Sequence, residues 1–142
     1  NISSIQITKS VSGEGDGTKK ASDTMGMKHR VDHGLYVFYG SINPQLASKT
    51  GFSDEDALAI KDALERLFQN DASTARPEGS MEVHKVYWWK HNNPNGQYSA
   101  AKVHRSLKIK VKDGIVDPKD ISDYYIEIVE LEGLILEVID GI

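Results

Sequence analysis

Apolar and polar positions alternate along "SSIQITKSV", residues 3–11, where the β-branched side chains predict a strand. The next fifteen residues, "SGEGDGTKKASDTMG", break the pattern. Gly13, Gly15 and Gly17 stand between acids, with Lys9, Lys19 and Lys20 around them, and the stretch reads as a connection or hairpin tip. It does not have the Lys–Thr ending or the spacing of a phosphate loop. "RVDHGLYVFYGSI", residues 30–42, predicts a second strand, with Val31, Leu35 and Val37 on one parity and Tyr36 and Phe38 on the other. Its second half is apolar on both parities. That fits a central strand covered on both faces, or covered on one and used for stacking on the other.

Helical periodicity follows. "NPQLASKTG" carries its signals in order: Asn43 to cap, Pro44 at the first helical position, Lys49 in the last turn and Gly51 to close. "SDEDALAIKDALERLFQN" predicts the main helix. Ser53 caps it, Asp56 completes a capping-box spacing, and Asp54 and Glu55 suit the positive end of the dipole. Ala57, Ile60, Leu64, Leu67 and Phe68 form one apolar stripe that reads as core.

Beyond it, "SMEVHKVYWWKH" predicts an aromatic strand and "NNPNG" a turn. "SAAKVHRS" predicts a helical turn. In "LKIKVK", Leu107, Ile109 and Val111 alternate with Lys108, Lys110 and Lys112, an edge-like strand whose lysines serve against aggregation without any ligand. "DYYIEIVELEGLILEVIDG" predicts two strands around Glu132–Gly133. A few helices among antiparallel-looking strands make an α+β chain.

The 142 residues are enough for one domain with a real core, and 39% apolar against 27% charged residues is a globular composition. No apolar run approaches the roughly 20 residues that cross a bilayer, so no membrane partner is expected. The chain has no cysteine, which excludes thiolate catalysis and cysteine zinc sites and suits a reducing cytoplasm.

The net charge of −4 conceals strong segregation. Residues 76–112 hold eight Lys and Arg against two acids, whereas residues 113–142 hold one against nine. A local basic surface binds phosphate whatever the total charge. The plainer alternative is that the two segments neutralise each other across a sheet.

Five histidines are candidates for chemistry: His29, His33, His84, His91 and His104. His29 and His33 have the spacing of a helical zinc pair, but on a strand they stand about 13 Å apart at about 3.3 Å per residue. No metal or other cofactor is expected, and no paired catalytic group stands out for an acid–base site. Lys28 and Arg30 suit charge-assisted phosphate contacts, and His29 suits a phosphate or a base. Tyr36, Phe38, Tyr87, Trp88 and Trp89 are either stacking platforms or, as strand aromatics usually are, core.

"ITKSV", the run from "TMGMKHRVDHGLYVFYGSINPQLASKTGF" through "EVHKVYWWKH", and "SAAKVHRSLKI" together resemble the C-terminal half of the backbone subunit of type I-C CRISPR surveillance complexes. The resemblance spans most of residues 5–111 in order. It implies a modified RNA-recognition-motif, ferredoxin-like palm with an inserted hairpin, so that residues 1–142 are one domain forming part of a longer subunit. Residues 1–30 would be a thumb-like segment, 31–111 the palm and 112–142 acidic C-terminal strands. It also implies a scaffold without catalytic residues that polymerises head-to-tail along CRISPR RNA, with target DNA and other subunits as partners. Carried onto this chain, Lys9, Thr24, Met25, Lys28 and His29 become the RNA neighbours, joined by Arg30 and by Arg76. Met27 stands where family members often have Arg or Lys. The rival reading is an endoribonuclease of the same fold plan that processes repeat RNA through a histidine such as His29.

Overall fold

The computed structural model describes residues 2–9 and 24–142. In chain order its elements are β1 (Ile2–Lys9), β2 (Thr24–Val31), α1 (Pro44–Thr50), α2 (Asp54–Glu65), β3 (Lys85–Lys90), α3 (Ala100–His104), β4 (Leu107–Val111), a 3₁₀ turn (Ile121–Asp123), β5 (Tyr124–Ile128) and β6 (Ile135–Asp140). The strands form three two-stranded sheets, β1–β2, β3–β6 and β4–β5, so the fold class is α+β, as the residue pattern predicts. The chain divides into two compact units. One comprises residues 1–38 and 108–127, the other residues 39–107 and 128–142. No helix among the described residues is long and apolar enough to cross a membrane.

The first unit is built on the antiparallel β1–β2 ribbon, whose register runs from Ile2 opposite Val31 to Lys9 opposite Thr24. Thr24, Met25 and Gly26 therefore belong to a strand and not to the connection the glycines suggested. Gly13, Gly15, Gly17, Lys19 and Lys20 lie outside the described residues. The second correction is larger. Residues 34–43 form no strand, although their apolar parities predicted a central one. The ladder with β1 is complete at Val31, and the chain then bends at Asp32 and His33. A strand exists only where a partner takes its backbone hydrogen bonds, and among the described residues this run has no ladder. Tyr36 and Phe38 consequently remain 68% and 69% exposed.

In the second unit, local chemistry decides the helices. Asn43 Oδ1 accepts the N–H groups of Gln45 and Leu46, Pro44 opens α1, and Gly51 ends it at φ 77. At α2, Ser53 Oγ accepts the Asp56 N–H while Asp56 accepts the Ser53 N–H at 2.8 Å, a complete capping box. The helix stops at Glu65, one turn earlier than the apolar stripe implied. Leu67 and Phe68 lie past its end, in turns where Asn70 adopts φ 55. Ile60 and Leu67 are 42% and 43% exposed, so the stripe is not core along its whole length.

Strand β3 pairs with β6, setting Lys85 opposite Asp140 and Trp88 opposite Glu137. The aromatic strand is shorter than predicted, since residues 81–84 precede the ladder. Adjacent residues point to opposite faces. Tyr87 and Trp89 stack at 6.2 Å on one face, while Lys61 of α2 lies 5.9 Å from the Trp88 ring and bonds to Glu137 at 2.7 Å. Val103, Leu134 and Ser106 are buried, and the Ser106 hydroxyl donates to the Val103 carbonyl at 2.6 Å.

Candidate nucleic-acid interface

Five of the residues singled out from the sequence fall on the strand β2: Thr24, Met25, Lys28, His29 and Arg30. A sixth, Lys9, ends β1 in register with Thr24. In an antiparallel pair, residues opposite each other share a face. Lys28 with Ile5 and Arg30 with Ser3 therefore occupy one face, while Met25, Met27 with Gln6 and His29 with Ser4 occupy the other. The compact cluster Lys28–His29–Arg30 is thus divided between the two sides of a ribbon. Two-residue alternation already contained that division, but a run of three basic-looking residues suggests a single lip.

Neither face is closed over. Met25 and Met27 are 65% and 58% exposed, Ile5 and Ile7 are 45% and 49% exposed, and Lys28, His29 and Arg30 are all exposed. The cations differ in what already holds them. Arg30 Nε donates to Asp32 Oδ1 at 2.8 Å, and Nη2 lies at the same distance from that oxygen. The Asp32 carboxyl is held below the usual aspartate range, first by the Ser3 hydroxyl and then by this guanidinium. Asp32 is a partner the sequence offered, two residues on, without marking it as one. Among the described residues no ion pair involves Lys28. His29 shares a 2.8 Å hydrogen bond with Ser4, Nδ1 to Oγ.

Arg76 belongs to the second unit. Its Nη2 lies 3.2 Å from Asp71, and its N–H and carbonyl form a tight turn with Ser73. The other histidines are dispersed. His33 lies against Tyr124 at 5.8 Å, His104 stacks on Tyr39 at 4.4 Å, and His91 Nδ1 accepts the Gln97 N–H at 2.8 Å. Among the described residues no three metal-ligating side chains gather.

This ribbon combines exposed cations with unbranched, polarizable methionines, which suits a backbone phosphate on one side and an unstacked base on the other. A search of curated proteins finds no match. The family described as CRISPR-associated protein Cas7 matches residues 1–129. With nearly the whole sequence covered, the chain belongs to the Cas7 family of CRISPR-associated proteins.

Proposed function

We propose that this chain is the RNA-gripping part of a non-catalytic backbone subunit of a type I-C CRISPR interference complex, with copies arrayed head-to-tail along one guide RNA. Family membership supports the CRISPR setting. The observation that carries the reading further is the open β1–β2 ribbon, with Lys28 and Arg30 on one face and Met25 and His29 on the other. Residues 1–30 act as the thumb-like element, 31–111 as the palm and 112–142 as acidic C-terminal strands. Lys28 and Arg30 hold phosphates, with Lys9 and Thr24 at the far end of the ribbon. Met25 wedges beside a base, and Arg76 adds a cation from the second unit. CRISPR RNA is the direct ligand, and target DNA and the other subunits join in the assembled complex.

Salt titration of binding to a short guide-like RNA tests this. Four or five phosphate contacts per copy give a log–log slope of about −3 to −3.5. A slope near zero removes the electrostatic basis of the proposal.

A further inference from the structure

The first unit exposes a second surface with the ingredients of single-strand recognition. Burial alternates along both strands of the β4–β5 sheet, turning Lys108 and Lys110 outward from β4 and Tyr125 and Glu127 outward from β5. Lys112 continues the parity of Lys108 and Lys110, and its Nζ lies 5.5 Å from the centroid of the Tyr125 ring. That contact places the lysines and the tyrosine on one face. Tyr125 is 53% exposed, so much of its ring remains open.

Edge lysines keep sheets from aggregating, and Lys108 and Lys110 need no ligand for that. An exposed tyrosine among them serves no such purpose. An aromatic ring flanked by cations is how sequence-tolerant single-strand binders operate: the ring stacks on a base while the cations hold neighbouring phosphates. The opposing charge on this face is limited. Glu127 shares it, and Asp113 holds Lys110 at 2.9 Å, but both members of that pair are more than 70% exposed. Such a pair is weak and yields to a phosphate.

We propose that the outward face of the β4–β5 sheet, with Tyr125 as platform and Lys108, Lys110 and Lys112 as phosphate contacts, binds single-stranded nucleic acid in addition to the β1–β2 ribbon. The chemistry is common to RNA and DNA, because every base has a stacking face and both strands carry the same phosphates. A protein partner is disfavoured by the chemistry of one open ring among three cations, which favours an anionic ligand with a stacking face.

Fluorescence anisotropy with labelled oligouridylate and oligothymidylate tests the surface in the intact chain. Tyr125→Leu keeps an apolar side chain but removes the platform, and weakens binding about tenfold. Loss on both probes assigns the shared chemistry, and loss on one assigns that strand type. Lys108→Gln with Lys110→Gln lowers the salt slope by about 1.4 and carries the test should Tyr125→Leu melt early. Unchanged affinity and slope in these variants, on both probes, overturn the proposal. Lys28→Ala run in parallel reports on the β1–β2 ribbon alone, so failure of either surface is seen separately.

Discussion

Ser4 and His29 stand opposite each other on the β1–β2 ribbon and share a hydrogen bond of 2.8 Å between Oγ and Nδ1. A hydroxyl beside an imidazole is the beginning of a nucleophile–base pair, and a third group normally orients the base. Among the described residues no hydrogen bond to a carboxylate holds this ring, and the pair is exposed. We expect no cleavage of repeat RNA in EDTA, and His29→Ala leaves the RNA intact as well. Cleavage by the wild-type chain that His29→Ala abolishes, followed on a denaturing gel, replaces the scaffold with an endoribonuclease.

The two ribbon cations make unequal predictions. Lys28→Ala removes a cation that no carboxylate holds among the described residues, and lowers the salt slope by roughly 0.7, with sequence preference unchanged. Arg30→Ala costs less, because Asp32 already occupies the guanidinium. Asp32→Asn releases Arg30 and tightens binding at low salt. Filter binding over a salt series checks the order. Equal losses for Lys28→Ala and Arg30→Ala, with no gain for Asp32→Asn, show that the Arg30–Asp32 pair does not compete with phosphate.

What the sequence showed and what it concealed follow from the range of the forces involved. Asn43, Pro44, Ser53 and Asp56 act on backbone groups within one helical turn, so their caps were legible and appear in the structure. The run Leu35–Tyr39 has a strand's alternation without forming a strand, because alternation reports which faces would be covered, not whether a ladder partner exists. The strand at Thr24–Val31 begins well before the pattern predicts one, for the converse reason. Its partner β1 lies across the glycine-rich segment, and its charges resemble a loop. The opposite faces of Lys28 and His29 were available from parity once a strand was assumed. Tyr125 was hidden longer, since only the structure brings Lys112 over its ring.

The capping box gives a pH dependence. The Asp56 carboxyl accepts the backbone N–H and the hydroxyl of Ser53, and these bonds hold its pKa below the ordinary aspartate value. A lowered carboxyl stabilises the fold fully above the unfolded pKa and loses that contribution as pH falls through the folded one. The melting difference between wild type and Asp56→Ala is therefore constant near neutrality and shrinks in acid, below the ordinary aspartate range. Ser53→Ala costs about 1 kcal/mol at neutral pH. A difference independent of pH down to the acid limit shows that the box is not formed in solution.

Gly141 tests the end of the β3–β6 sheet. A Cβ there would stand 1.7 Å from the Val83 carbonyl oxygen, a backbone atom that cannot swing aside. The Gly141 N–H donates to the His84 carbonyl at 3.2 Å, so the two segments are held where the clash occurs. Gly141→Ala is expected to cost ~1–3 kcal/mol, the range for overpacking that the backbone must absorb. Chemical denaturation measures it, and a variant as stable as wild type shows that the approach relaxes freely.

Assembly along RNA requires a heterologous contact, in which one patch of a copy meets a different patch of the next. The unlike charges of residues 76–112 and 113–142 supply candidates, but part of that opposition acts within one copy. Lys85 bonds to Asp140 across the β3–β6 register, each group moving the other's pKa away from neutrality, and Glu137 is held by Lys61. Among the described residues no ion pair involves Glu127, Glu130 or Glu132, and all three are exposed. These carboxylates, and not Glu137 or Asp140, are the ones free to steer a neighbouring copy. Replacing the three with Gln should shorten RNA-bound assemblies in mass photometry while leaving the melting of the isolated subunit unchanged. Full-length assemblies built from a destabilised subunit would place their charge inside the copy, beside Glu137 and Asp140.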